Sequence, residues 1–319
     1  MNVAGTKMLE IEVNHSVQIQ EPRDKGRFFI PVVSVYTEPE LLKAIMSHTS
    51  WIGFNYLELR NSNRYPFAKA RGLRDAFGLD DQTRIFLSTT AKDKRLVRFY
   101  DESNGLEKFR SDMLSFGVDL TMGPDWFSYK DDPLSLRQKV VRKSIKLNMD
   151  CLDLENLAPT IRGTNFQEMA GFISHFRVQG KKVFVFPGRE YLINLADRKR
   201  AQREAFSLTA TLTRAEGIKL ILTGCSSPKL QQRLFAVWGF AGQGWLIQSM
   251  QRRLIKDETY VSIFNKRFFC DDPRCCASIS INDLKSPRCD SIRAIHNLRR
   301  INAALKPMPK IEQTCLEEF

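Results

Sequence analysis

The feature that most restricts the fold of this chain is a rhythm. Short apolar runs rich in β-branched residues alternate with longer amphipathic segments from residue 30 to residue 248. The runs are Ile30–Tyr36, Trp51–Glu58, Arg84–Thr89, Gly117–Met122, Leu157–Arg162, Lys182–Pro187, Ile218–Thr223 and, more weakly, Gly244–Gln248. Between them, Glu38–Ser47, Gly105–Phe116, Pro133–Leu147, Phe166–Val178 and Asp197–Glu216 carry apolar residues at helical spacing. Strands apolar on both faces belong to a parallel sheet, because the crossover helices shield both faces from water. Eight repeats over roughly 220 residues predict an α/β fold, a closed (β/α)8 barrel of TIM type. No Gly-x-Gly-x-x-Gly follows a strand, so an open dinucleotide-binding sheet is not expected.

Metal chemistry is suggested near the C-terminus. Four of the seven cysteines and one of the four histidines lie between Cys270 and His296. Thiolates with one imidazole suit a tetrahedral structural Zn2+ site, and clustering lets one short segment fold around the ion. Cys270, Cys275, Cys276, Cys289 and His296 are five candidates for four positions. The competing explanation is a set of buried free thiols. Residues 1–26 read as a polar, irregular arm, 27–256 as the barrel, and 257–319 as an appended zinc-binding subdomain closed by a helix over Asp290–Leu305. An odd number of unevenly spaced cysteines argues against a disulfide framework and for a reducing cytoplasm. No apolar run approaches the length of a membrane span, and Met1-Asn-Val-Ala-Gly-Thr-Lys7 has no signal-peptide character.

The net charge of +13, with a pI near 9.5, makes a nucleic acid the first partner to consider, because Lys and Arg neutralise phosphates and release counterions. The cations bracket the cysteine cluster: Arg252, Arg253, Lys266 and Arg267 precede or enter it, and Arg293, Arg299 and Arg300 surround His296. Such a lobe beside a barrel mouth would grip phosphates. The basic run Arg198–Arg203 reads instead as a solvated helix face.

In a (β/α)8 barrel the chemistry sits at the C-terminal ends of the strands. Few acids occupy those ends. Asp125 follows the fourth run in Met122-Gly-Pro-Asp125-Trp-Phe, Glu190 follows the sixth in Pro187-Gly-Arg-Glu190, and Glu58 ends the second. Asp125 is the strongest candidate. Its carboxylate has the acceptors to read a guanine-like N1–H and exocyclic amine, or to act as acid or base in glycosidic cleavage, and equally suits a loop cap. Glu58 and Glu190 are each compatible with a structural ion pair. Gly163 and Gly188 remove side chains beside the fifth and sixth runs, which either makes room for a flat base or shapes tight βα turns.

Taken together these motifs resemble the tRNA-guanine transglycosylase superfamily, whose members exchange guanine for a 7-deazaguanine in nucleic acid, some in DNA. Pro31-Val-Val-Ser-Val-Tyr-Thr-Glu-Pro-Glu-Leu-Leu42 is similar to the family's first strand and following helix. Gly117-Val-Asp-Leu-Thr-Met-Gly-Pro-Asp125 resembles its Asp-Ile-xx-Met-xx-Phe-Asp loop, and Thr223-Gly-Cys-Ser-Ser-Pro228 its Gly-Val-Gly-Thr-Pro turn. Ile295-His-Asn-Leu298 matches its zinc-ligating His-Asn-Leu. The resemblance implies that Asp125 recognises the base, that Arg162 and Gly163 take the place of an amide-and-glycine base contact, and that His296 ligates zinc. Two departures stand out: Thr89 occupies the place of the aspartate in Thr-Asp-Ser-Gly-Gly, and no acid is present in Gly242-Gln-Gly-Trp-Leu-Ile-Gln-Ser249, where the family carries its nucleophile. A hydroxyl and an amide cannot form the ester intermediate that a carboxylate forms. The expected function is exchange of guanine for a 7-deazaguanine in DNA or tRNA, with Glu190 or Glu58 supplying the missing acid. The alternative is a catalytically silent paralogue that binds nucleic acid or serves as the partner subunit of an active enzyme. Assembly as a homodimer or heterodimer is compatible with either.

Overall fold

The computed structural model describes residues 27–90, 93–102, 104–126, 128, 132–188, 198–264, 281–286 and 289–305. Eight parallel strands form the central sheet: β1 (Phe28–Val33), β2 (Trp51–Asn55), β3 (Arg84–Ser88), β4 (Leu120–Met122), β5 (Leu157–Ala158), β6 (Val183–Phe186), β7 (Lys219–Thr223) and β8 (Gly239–Gly242). Their order is β5-β4-β3-β2-β1-β8-β7-β6. The ends meet through a parallel bridge between Thr160 and Val185, where Ile161 N–H donates to the Val185 carbonyl at 2.9 Å and Val185 N–H to Pro159 at 3.0 Å. The sheet is thus a nearly closed barrel of (β/α)8 type.

Strand alternation separates two cores. Ile30, Val32, Phe86, Met122, Val185 and Ile221 point into the barrel. Their neighbours Phe29, Val33, Ile85, Phe184 and Leu222 pack outward beneath the helices. Large inward residues face small ones. Phe28 pairs in register with Gly239, stacks on Trp51 at 5.4 Å and meets Trp238 edge-on at 4.7 Å. A Cβ at Gly239 would lie 2.7 Å from the Phe28 ring.

This filling explains why the eighth strand differs from the sequence expectation. β8 spans Gly239–Gly242, and Gly244–Met250 is a helix. With Phe28 and Ile30 filling the interior from β1, the inward positions of β8 are Gly239 and Ala241, so the strand lacks a β-branched signature. The second strand is also shorter than expected. Asn55 ends it by accepting a hydrogen bond from Glu58 N–H at 3.0 Å and capping a helix over Tyr56–Arg60.

The helices that cover the barrel are α1 (Pro39–Met46), α2 (Tyr56–Arg60), α3 (Tyr65–Phe77), α4 (Asp93–Asp101), α5 (Gly105–Phe116), α6 (Leu134–Met149), α7 (Phe166–Arg177), α8 (Arg198–Glu216), α9 (Pro228–Arg233) and α10 (Gly244–Met250). An antiparallel hairpin, β9 (Arg253–Lys256) and β10 (Thr259–Ser262), then leads to α11 (Ile281–Lys285) and α12 (Asp290–Ala304). No helix among the described residues is long and apolar enough to cross a membrane.

α12 packs on β1, β9, α1, α9 and α10. Its Asn297 accepts from Ile255 N–H at 2.9 Å and donates to Trp245 and Arg253 carbonyls at 3.2 and 3.1 Å, and Asn302 reaches the His48 carbonyl at 2.9 Å. The closing helix therefore packs as the last helix of the barrel, and the segment between α10 and α12, of which β9, β10 and α11 are described, is an insertion. If so, truncating Leu298, which is fully buried in the outer core, destabilises the whole barrel. We expect Leu298→Ala to cost about 2–5 kcal/mol and to leave one unfolding transition in urea. A separate early transition would show that α12 is an independent unit.

Candidate functional site at the barrel mouth

The loop after β4 is held from four directions. Gly123 N–H donates to the Ala158 carbonyl at 2.8 Å, and the Gly123 carbonyl accepts from the hydroxyls of Thr89 and Thr160, both at 3.0 Å. From α6, Asn148 donates to the Pro124 carbonyl at 2.8 Å and accepts from Thr160 N–H at 3.2 Å, while Ser144 donates to the Trp126 carbonyl at 3.1 Å. A side chain at Gly123 would collide with Asn148, its Cβ falling 1.9 Å from the amide oxygen. Thr89 is fully buried and its proton is committed to a backbone carbonyl, so it acts as a loop anchor.

This scaffold delivers Asp125 to Arg162. Arg162 Nε donates to Oδ1 and a terminal nitrogen to Oδ2, each at 2.8 Å, and the two side chains are 3% and 6% exposed. A bidentate guanidinium occupies the same carboxylate edge that would read two donors of a purine. In this arrangement Asp125 is a neutralised partner, and Arg162 must swing away before the carboxylate can meet a base. Tyr100 is half-buried, with its phenol near the same aspartate. Burial first, and the charge of Asp125 second, hold its phenol well above the ordinary tyrosine range. The Trp126 ring is half-buried, with Lys143 Nζ 3.1 Å from its centroid.

The other sequence candidates are distributed around the rim. A Cβ at Gly163 would stand 2.7 Å from Met169 of α7, so its missing side chain serves the close approach of that helix. Gly188 is buried and closes a tight turn by donating to Phe186 O at 2.9 Å. Glu190 lies outside the described residues. Glu58 stands half-buried in the first turn of α2, where the Ser34 hydroxyl lies 2.5 Å from its Oε1. Ser34 Oγ in turn accepts from Tyr36 N–H at 3.3 Å, and Asn55 binds the Thr90 carbonyl. Ser34 and Thr90 had no distinguishing sequence signal beyond their place at strand ends.

Across the mouth, β8 ends in Gly242-Gln243-Gly244, with no carboxylate. Side chains at Gly242 or Gly244 would each meet Ser226 Oγ at 2.8 Å, so the glycines fit the β7 turn. Burial pushes the Cys225 thiol in that turn up to about 12, which keeps it protonated and poorly nucleophilic at neutral pH.

Of the basic and metal-ligating candidates, Arg252, Arg253, Cys289 and His296 are described, whereas Lys266, Arg267, Cys270, Cys275 and Cys276 lie outside the described residues. Arg253 is exposed, and Arg252 lies over the Phe264 ring at 5.5 Å. Arg293 is fully buried. It donates to the Ser249 carbonyl at 2.9 Å and to Ser286 at 2.8 Å, so it ties the inserted segment to α10 instead of facing phosphate. His296 is 2% exposed, with Nε2 3.0 Å from the Ile255 carbonyl. A carbonyl can only accept, so Nε2 carries the proton and a neutral ring has its lone pair on Nδ1. Cys289 stands at the N-terminus of the same helix without a capping hydrogen bond, seven residues away, a rise of about 10.5 Å. Among the described residues no three metal-ligating side chains converge.

A scan against protein-family models finds no match, and no curated protein matches the chain. The chemistry of the mouth thus rests on its own residues, of which Asp125 and Arg162 make the sharpest claim. Removing Arg162 strands a buried carboxylate. We expect Arg162→Ala to lose about 3–5 kcal/mol in urea denaturation, and the apolar pair Asp125→Leu with Arg162→Met to recover most of it. A single-variant loss under about 1 kcal/mol would show that water, not Arg162, solvates Asp125.

Proposed function

We propose that the chain is a transglycosylase-like, nucleic-acid-binding barrel that does not exchange bases by the family's carboxylate route, and that it works as a binding protein or partner subunit. The observation that carries this reading is the Asp125–Arg162 pair. The carboxylate assigned to base recognition is bound on its reading edge by a cation from β5's end. Thr89 and the stretch Gly242–Ser249 supply no acid where the resemblance places carboxylates, and packing accounts for the small residues Thr89, Gly242 and Gly244. The retained net charge of +13 supports nucleic acid, DNA or tRNA, as the partner.

A second reading is favoured by Glu58. Its half-buried carboxylate sits at the mouth against the Ser34 hydroxyl, and the exposed Tyr36 follows two residues on, its N–H donating to Ser34 Oγ. There it would supply the acid for guanine exchange with a 7-deazaguanine, the base stacking on Tyr36. One assay separates the two. Purified protein is incubated with labelled guanine and either tRNA or duplex DNA, beside a Glu58→Gln variant. We expect no incorporation into either polymer, with binding that weakens steeply as salt rises. Incorporation lost in Glu58→Gln would establish the enzyme instead.

The same reading includes a structural zinc. His296 fits it, because a ligating imidazole donates its second N–H to a carbonyl, as Nε2 faces Ile255 O here. Cys289 fits it less well. A helical rise of about 10.5 Å between the two residues disfavours a shared ion, whose ligand atoms lie about 2.0–2.3 Å from it. That leaves Cys270, Cys275 and Cys276 with His296, an ion that would pin the insertion to the barrel. Mass spectrometry of the native chain should find one zinc. We expect that zinc to be lost in His296→Ala and kept in Cys289→Ala; the reverse pattern would overturn the assignment.

A further inference from the structure

The charge excess has a second concentration outside the cysteine-rich lobe, on α6. This helix contains Arg137, Lys139, Arg142, Lys143 and Lys146 and no acidic residue over its full length. The cations are not spread around it. At 3.6 residues per turn, Lys139, Arg142, Lys143 and Lys146 fall within an arc of about 100° and rise over about 10.5 Å. The opposite face, Val140, Ser144, Leu147 and Asn148, is buried against the barrel. Arg137 points elsewhere and donates to the Thr164 carbonyl at 3.3 Å.

Ordinary causes account for part of this stripe. Lys146, in the last turn, is favoured by the helix dipole. Lys143 pairs with Asp101 at 3.2 Å and lies against Trp126. Neither cause reaches Lys139 or Arg142 in mid-helix. Lys139, Arg142 and Lys146 are exposed, and among the described residues no carboxylate pairs with them. Like charges three and four residues apart disfavour a helix, so the arrangement costs stability that Asp101 offsets at Lys143 alone among the described residues. A polyanion with regularly spaced charges removes that repulsion.

We infer that the α6 stripe is a second phosphate-binding track, which takes the phosphodiester backbone of the same nucleic acid as it leaves the barrel mouth. The continuity is structural. α6 starts on the mouth side, follows the loop that carries Asp125 and Trp126, and holds that loop through Ser144 and Asn148. Lys143, on the Trp126 ring, joins the stripe to the rim. A linear file of cations suits a backbone better than a lipid surface, which would need apolar groups alongside the charges for insertion. The inference rests on the nucleic-acid reading above.

The test compares the wild-type chain with two variants, Lys139→Gln/Arg142→Gln/Lys146→Gln and Arg252→Gln/Arg253→Gln. Binding of a fluorescent DNA duplex and of tRNA is followed against salt concentration. Each lost phosphate contact lowers the slope of log affinity against log salt by roughly 0.7–0.9. The α6 variant should therefore lose about two in slope and at least tenfold in affinity near 0.1 M salt. Thermal melting at or above the wild-type temperature would confirm that its fold is intact, since the substitutions relieve like-charge repulsion. If the wild type binds and the α6 variant keeps both affinity and slope, the track is overturned while the nucleic-acid reading stands. If the wild type ignores both polymers, or binds only phosphatidylserine vesicles, the track and that reading fail together.

Discussion

A parallel barrel of eight strands encloses a fixed volume, and every inward side chain must share it. That constraint governs the rest of this structure. Phe28, Trp51 and Trp238 crowd one end of the interior, so the strand facing Phe28 must offer glycine. The same economy of space recurs at the other end, where Ser226 fits only because Gly242 and Gly244 have no side chains. The eighth strand is therefore poor in both bulk and charge, and its poverty is a packing solution. A carboxylate at Gly242 would need the β7 turn to be built differently.

A second consequence is the rigidity of the β4 loop. Gly123 offers one carbonyl to two buried hydroxyls and leaves room for Asn148, whose amide binds the loop from behind. The loop has little freedom to move, and it presents Asp125 to Arg162 at two matched distances. Burying one charge there would be prohibitive, and burying both in a bidentate pair is tolerable. Recognition of a base by Asp125 would first have to break that pair, so the mouth is neutral where the resemblance implies an open acceptor. On the β1–β2 side Ser34 and Glu58 remain half-buried, with Ser34 Oγ against the Glu58 carboxylate.

Much of the architecture was legible in the sequence. Apolar runs such as Val183–Phe186 and Lys219–Thr223 are buried on both faces, and that requirement writes itself into residue type. Helices such as Gly105–Phe116 and Phe166–Arg177 carry their cores at regular spacing, and their boundaries followed. The failures share a cause. The eighth strand is Gly239–Gly242 and not the expected Gly244–Gln248, which is helical, because inward bulk on β8 is supplied by its neighbour β1, which no local pattern records. Trp51–Glu58 was read as one strand because the capping role of Asn55 depends on where its side chain turns.

Around the candidate site the division is similar. Asp125, Arg162, Thr89 and His296 were each identifiable from motif and position. Their relationships were not, because a hydrogen bond between residues 125 and 162 is a property of how two strand ends meet. The sequence by itself determined the repeating α/β architecture, the basic charge and the supply of thiols and imidazole, since these are sums or periodicities over local residue types. Only the tertiary structure decided that Asp125 is held by Arg162, that Arg293 is interior while the α6 cations face water, and that the last helix belongs to the barrel. Each of those outcomes turns on which side chains compete for the same space or the same charge, and that competition exists only once the strands have closed.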